Sequence, residues 1–271
     1  MRIPAIKDAV TIITGASSGI GRACALAYAR AGAHTVLASR HAERLRELAE
    51  RIRSEGHAAP LVVPTDVTQT PQVQQLVTAA LTARGRIDIL VCNAGVGLYS
   101  PVRELTDEDL HAVFDVNYHG VVRTVRAALP HMLARRSGLI QIVSSVIGVR
   151  AVPGYAGYCS TKFALAALAE SLRVEVAAKG LRVQMIYPGL TDTEFPANSI
   201  RRGPDTGSYR LRPAPADKVA GVMVRAARGR SRRRYVSVSG YLFGAMSRLS
   251  PSLVDAILAR VMKPRESLQD P

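Results

Sequence analysis

The chain has 271 residues, 48% of them hydrophobic, which suits one large α/β domain with a substantial core. It has no Trp, 5% aromatic residues and three scattered cysteines (Cys24, Cys92, Cys159), so a disulfide framework and a cysteine metal site are both excluded and a reducing compartment is expected. The net charge of +15 is uneven: residues 1–200 carry 21 basic and 16 acidic residues, residues 201–271 carry 15 and 5.

Residues 9–13 (AVTII) form a short β-branched apolar run and read as a buried strand. The turn TGASSGIG follows, with Gly15, Ser17, Ser18, Gly19, Ile20 and Gly21, and then an Ala-rich helix that stops at Gly32. Glycines allow a tight turn and close approach of a ligand to the backbone, and a helix N-terminus behind such a turn attracts phosphate. The spacing is G-x-x-x-G-x-G, not the commoner G-x-G-x-x-G. Residues 34–39 are the second strand, followed at once by Arg40. An acid near this point would hold a ribose 2′-hydroxyl; the site instead reads Ser39-Arg40, which favours a 2′-phosphate and hence NADP(H) over NAD(H). Arg40 as an ordinary loop arginine is the plain alternative, and Arg22 is placed to assist the same phosphate.

Residues 41–55 are an amphipathic helix with Leu45, Leu48 and Ile52 inward, and residues 61–63 a third strand before Asp66-Val67. Thr70-Pro71 caps a helix that runs to Arg84-Gly85. Residues 87–91 are a fourth strand ending at Cys92-Asn93-Ala94-Gly95. Strand and helix alternate, which predicts parallel strands with crossover helices: an α/β, doubly wound Rossmann fold of about seven strands with helices on both faces. Ligands then belong at the carboxyl ends of the strands, where Gly15, Arg40, Asp66 and Asn93 fall.

A helix from about 107 towards 136 is opened by Thr106 and an acidic first turn, and carries Asn117 in its interior, an unfavourable place by propensity. Residues 139–143 are the fifth strand and deliver Ser144 and Ser145. A helix over 158–178 begins with Tyr158 and Lys162, one turn apart and so on one face. A cation near a phenol favours phenolate and lowers its pKa from about 10; with a serine hydroxyl on the same oxygen, that is the equipment of carbonyl reduction or alcohol oxidation. A Y-x-x-x-K pair alone is common and is usually helix surface. The sixth strand, 181–186, leads to Pro188-Gly189 and Thr193. Residues 194–214, rich in Pro, Gly, Ser and Arg, read as a lid; 215–228 as a helix; 232–238 as an edge strand; and 240–262 as helices broken at Pro251. The organisation expected is a single domain over 1–238 with a helical tail over 239–271.

By these residues the chain resembles the short-chain dehydrogenase/reductase family, over residues 8 to about 193. The turn fits the family's T-G-x-x-x-G-x-G, Asp66-Val67 its adenine-contacting pair, and Asn93-Ala94-Gly95 its strand-end motif, with Cys92 where many members have a second Asn. Asn117, Ser145, Tyr158 and Lys162 fit its catalytic tetrad; Ser145 is taken over Ser144 because it stands thirteen residues before the tyrosine. Pro188, Gly189 and Thr193 fit the segment beside the nicotinamide. The resemblance implies that Tyr158 transfers the proton, Lys162 lowers its pKa and binds the nicotinamide ribose, Ser145 orients the substrate oxygen, and Asn117 holds a water that links Lys162 to solvent. Val149, Val152 and Tyr155 are expected to line a pocket for a small, fairly apolar alcohol or ketone. The same resemblance implies a homodimer or homotetramer, through the helices bearing Asn117 and Tyr158.

A fold of this kind that senses dinucleotide without turnover is the competing function class, and such a protein should lack part of the tetrad. The basic tail permits nucleic acid or an anionic membrane surface as partner, through residues 230–234 and the amphipathic stretch after them. No nucleic-acid motif accompanies the charge, so solvated arginines and a tail packed on the subunit or its neighbour are the expectation. With no apolar signal region at the amino terminus and no apolar run of about 18 residues, a soluble, cytoplasmic protein is expected.

Overall fold

A computed structural model describes residues 5–203 and 212–262. Its centre is a seven-stranded, all-parallel sheet: β1 (Val10–Thr14), β2 (His34–Ser39), β3 (Leu61–Pro64), β4 (Ile89–Cys92), β5 (Gly138–Val143), β6 (Leu181–Tyr187) and β7 (Arg233–Tyr235). The spatial order is β3-β2-β1-β4-β5-β6-β7. Chain direction across the sheet therefore reverses between β1 and β4, and the crevice outside their carboxyl ends is where ligands settle in such sheets.

Most strand positions are apolar and most are buried, and successive side chains feed opposite faces. Ile13, Leu37, Val91, Val143 and Ile186 pack with α1 (Gly19–Arg30), α2 (Ala42–Ser54) and, further along the chain, α7 (Ala216–Ala227). Ile12, Val36, Leu90, Ile142 and Met185 pack on the other face with α3 (Thr70–Arg84), α5 (Gly120–Arg135) and α6 (Ala156–Glu175). A buried polar thread crosses the first layer. The Tyr28 hydroxyl donates to Gln141 Oε1 at 2.7 Å, while Gln141 Nε2 donates to Gln184 Oε1 at 3.1 Å and to the Met223 carbonyl at 3.0 Å.

Several boundaries depart from the sequence reading. Thr70 does not cap α3: Gln69 stands at the cap position without a side-chain bond, and Thr70 and Pro71 are already helical. The single helix expected from 107 to 136 is α4 (Asp107–Phe114), a π turn over Asp115–His119, and α5. The π turn contains Asn117, and one-turn widenings of this kind are found mostly at functional sites. α6 starts two residues before Tyr158 and ends at Glu175, followed by a 3₁₀ turn over Ala177–Lys179.

After β7 the chain forms α8 (Val238–Leu249) and α9 (Pro251–Val261), with Pro251 at the first position of the second helix. α8 lies close to the loop after β5: a Cβ on Gly240 would fall 2.7 Å from Val146 Cγ1, and one on Gly244 3.3 Å from Val149 Cγ2. An Arg150–Asp255 ion pair ties α9 to the same loop.

Candidate active site

The glycine turn is bolted to the end of β4. Thr14 Oγ1 accepts from the backbone N–H groups of Asn93 and Ala94, at 3.1 and 3.2 Å, and Asn93 Nδ2 donates to the Thr14 carbonyl at 3.0 Å. Asn93 thus holds the turn with its side chain. Gly15 has φ +68°, and a Cβ there would stand 2.8 Å from Ala94 Cα; a Cβ on Gly21 would stand 2.0 Å from the Gly15 carbonyl oxygen. Only glycine lets the turn lie this close to the strand end and to its own helix. At the start of α1 no side chain caps the helix and no acid lies in its first turn, so its free N–H groups remain available to an anion.

Ser17, Ser18, Gly19, Ile20, Arg40, Asp66, Val67, Asn93, Ala94, Gly95, Ser145, Tyr158, Lys162, Pro188, Gly189 and Thr193 line one cavity of about 1200 Å³ together with Gly15. That volume lies above the usual span for a single ligand. Of the residues expected at the site, Gly21 and Asn117 do not reach its wall. Arg22 is exposed on α1 away from the cleft, and Val149 is turned towards α8; Val152 and Tyr155 do line the cavity.

At the adenosine end implied by the fold, Arg40 is exposed at the cleft edge, and His41 and Arg44 lie beside it. Neither was picked out from the sequence, although Arg44 follows Arg40 by one helical turn. Asp66 Oδ1 accepts from the Thr68 N–H and hydroxyl at 2.9 and 2.8 Å, which fixes the loop after β3. Val67 fits the gap at Gly120, where a Cβ would lie 2.7 Å from Val67 Cγ2.

At the other end, β5 and α6 bring Ser145, Tyr158 and Lys162 together. Ser144 and Ser145 divide their work. Both line the cavity, but the Ser144 hydroxyl is buried and donates to the Lys162 carbonyl at 3.3 Å, whereas Ser145 Oγ accepts from the Ile147 N–H at 3.3 Å. Lys162 is buried; its ammonium donates to the Val143 carbonyl at 3.2 Å and lies 5.4 Å from the centre of the Tyr158 ring. Here the structure corrects the electrostatic expectation. Burial, with a smaller contribution from Cys159, pushes the Tyr158 phenol well above its ordinary value, and burial pulls the Lys162 ammonium down to about 8. In the chain by itself burial is the leading influence on both groups and draws each towards its neutral form.

Asn117 is completely buried in the π turn. Its Oδ1 accepts from the Val96 N–H at 2.8 Å, and its Nδ2 donates to the Val96 carbonyl at 2.9 Å and to Thr161 Oγ1 at 3.2 Å. The amide therefore clamps the 93–97 loop to α6. Its direct partners are the Val96 backbone and Thr161.

The lid is fastened on three sides. Ile200–Arg201 pairs with Leu98–Tyr99, and Thr191–Asp192 with Ala214–Pro215. Arg202 makes a two-point ion pair with Asp109 at 2.8 and 2.9 Å and holds that carboxyl below its usual range. Phe195 brings its ring edge-on to Tyr158, centroids 5.7 Å apart, and Glu194 reaches Arg44 on α2 at 2.9 Å. Residues 204–211 of the expected lid lie outside the described residues. The three cysteines are buried and free, and burial raises the Cys159 thiol beside Tyr158 to about 11, which suits a small packing group. Among the described residues no helix is long and apolar enough to cross a membrane, and no cluster of His, Cys, Asp or Glu is arranged to hold a metal ion.

A crevice of this kind at the switch point of a doubly wound parallel sheet, floored by glycines, is built like a dinucleotide site. Residues 9–202 match the family model described as short chain dehydrogenase. The chain is 41% identical over 192 residues to an uncharacterised oxidoreductase, Lmo0432, of Listeria monocytogenes, covering 70% of this chain and 77% of that one. It is 32% identical over 268 residues to the uncharacterised oxidoreductase YxnA of Bacillus subtilis, covering 97% and 74%. Among solved structures, a short-chain dehydrogenase/reductase from Burkholderia phymatum in complex with NAD superposes with a TM-score of 0.83 at 27% identity, covering 98% of this chain and 99% of that one. An alcohol dehydrogenase from Thermococcus sibiricus, complexed with 5-hydroxy-NADP, gives 0.75 at 30% identity, covering 84% and 96%. The chain belongs to the short-chain dehydrogenase/reductase family and is an NAD(P)-dependent oxidoreductase.

Proposed function

We propose that this protein interconverts a carbonyl and the corresponding alcohol on an apolar substrate, with NADP(H) preferred and Tyr158 as the proton donor and acceptor. The observation that carries the reading is the convergence of Ser145, Tyr158 and Lys162 on one side of a cleft that also contains the glycine turn. When bound, the nicotinamide supplies or accepts the hydride.

The chain's own residues do the rest. The N–H groups of the turn and of the α1 N-terminus bind the phosphates. Arg40, assisted by Arg44, holds the ribose 2′-phosphate, a reading supported by the absence of an acid at the end of β2. Ser145 Oγ already accepts one bond from Ile147, so its own proton is left to donate to the substrate oxygen. The buried phenol stays protonated at neutral pH and is loaded to give its proton to the same oxygen. As the phenolate develops, the nearby Lys162 charge stabilises it. Asn117 keeps the 93–97 loop and α6 in register so that these groups stay aligned. The helices α8 and α9, read as a tail outside the main domain, contribute Phe243, Leu258 and Val261 to the cavity wall. A homodimer or homotetramer is supported by Phe163 and Val174, large apolar side chains left exposed on α6.

The test is a fluorescence titration with NADPH and NADH beside a screen of ketones and aldehydes. The Arg40→Asp variant should bind NADPH at least tenfold more weakly and NADH no more weakly. Unchanged NADPH affinity removes the phosphate role, and no oxidation of either dinucleotide across the screen overturns the redox reading.

A further inference from the structure

Among the described residues, the cavity's substrate end reaches the surface at Val261. Beyond Tyr158 its wall is continued by Val146, Val152, Phe243, Leu258, Val261 and Met262. The last three come from α9 and its end, which the Arg150–Asp255 ion pair and the buried Val254 seat over the loop after β5. Val261 belongs to two surfaces at once: it lines the cavity, yet it is 69% exposed. On the outside it continues a stripe with Leu253 and Ile257, spaced by four residues along one helix face, which are 50% and 41% exposed. At 1.5 Å per residue this stripe is about 12 Å long, the reach of an extended chain of roughly ten carbons.

Exposed apolar side chains scattered singly need no explanation, but a row of them continuous with an apolar cavity marks a ligand path. We infer that the substrate carries a long, flexible apolar chain, which leaves the Ser145–Tyr158 end between the loop after β5 and α8–α9 and lies along the outer face of α9. This deepens the carbonyl–alcohol reading given above and rests on it, and it replaces the small substrate expected from the sequence with an elongated one. The reaction is unchanged in balance: the carbonyl carbon gains hydride from the reduced dinucleotide, and its oxygen gains a proton from Tyr158.

The experiment is a series of 2-alkanones from about five to fifteen carbons, reduced with saturating NADPH. A buried methylene is worth about 0.8 kcal/mol, or about fourfold in kcat/KM as a ceiling; a rise of roughly tenfold or more across the series is expected. In Val261→Glu and Leu258→Glu the ratio of long-chain to short-chain kcat/KM should fall about fivefold or more. Because this is a ratio within one sample, partial misfolding does not mimic it. Val102→Glu, on the 3₁₀ turn after β4 and outside the cavity, should leave the ratio unchanged. A flat series, or a ratio that both α9 variants preserve, overturns the inference. Preserved selectivity together with dissociation of an oligomer by Val261→Glu in sedimentation would assign the stripe to a second copy of the chain, and also overturns it. A second readout needs no turnover. Straight-chain primary amides of about five to fifteen carbons, titrated calorimetrically into NADPH-saturated protein, should bind more tightly as the chain lengthens. Affinities independent of length count against the channel even if no ketone is reduced, whereas length-dependent binding without reduction spares the channel and sinks the redox reading.

Discussion

Lys162 is an ammonium held in a place that does not favour charge, and its removal should stabilise the unliganded protein. Burial pulls it from its ordinary 10.5 to about 8. A folded-state value depressed in this way means that the stability associated with the neutral amine is fully present above pH 10.5 and is lost as pH falls through about 8. A shift of that size corresponds to about 3 kcal/mol of penalty, nearly all of it present at pH 7. Lys162→Met removes the charge and keeps most of the volume, but leaves the Val143 carbonyl without its 3.2 Å donor, which costs about 1 kcal/mol. The expected net gain at pH 7 is therefore about 2 kcal/mol. Urea unfolding of wild type and variant at pH 6, 7.5 and 9 measures it; the gap should be widest at the two lower values and shrink towards pH 9. A variant less stable than wild type at pH 7, or a gap independent of pH, would refute the reasoning that desolvation dominates at this lysine. The same variant should lose most turnover, so stability and activity move in opposite directions, as expected where a site is held in an unfavourable state for function.

Gln141→Leu should destabilise by about 2–3 kcal/mol in urea, because the buried Tyr28 hydroxyl, bonded at 2.7 Å, and Gln184 each lose a partner; a loss under about 0.5 kcal/mol would mean the polar thread is dispensable. Gly95→Ala should weaken dinucleotide binding about tenfold or more in a fluorescence titration and also lower the melting temperature, because the Asn117 clamp must give. Its added Cβ would sit 3.1 Å from Asn117 Oδ1 and 3.7 Å from Lys162 Nζ, intruding on the cleft floor; unaltered affinity would show that the ligand does not approach this floor.

Much of the fold was readable because parallel strands buried on both faces leave a strong local signal, as Ile89–Cys92 illustrates: apolar and buried at all four positions. The glycine turn and the Ser145, Tyr158 and Lys162 set were readable for a similar reason, since each is encoded in a short stretch at a strand or helix end. What escaped depends on contacts distant in sequence. Asn117 drew notice as a poor helix residue, but its bonds to Val96 and Thr161 arise only when the π turn, the loop after β4 and α6 meet. The lid looked structureless because its pairings are two residues long, at Leu98–Tyr99 with Ile200–Arg201 and at Thr191–Asp192 with Ala214–Pro215. Arg44 is tied to the lid only through Glu194, 150 positions on. The Tyr158–Lys162 spacing suggested a lowered phenol pKa, yet spacing carries no information about burial, and burial decided the direction.

The central claim is that the Tyr158 hydroxyl, in a dinucleotide cleft shared with Ser145 and Lys162, supplies the proton for carbonyl reduction. Single-turnover reduction of a long-chain ketone by bound NADPH, in wild type and Tyr158→Phe, tests it most directly when NADPH affinity is measured on the same samples. The account expects affinity to stay within about threefold while the transfer rate falls about a thousandfold or more. Transfer at an undiminished rate in the phenylalanine variant would contradict it.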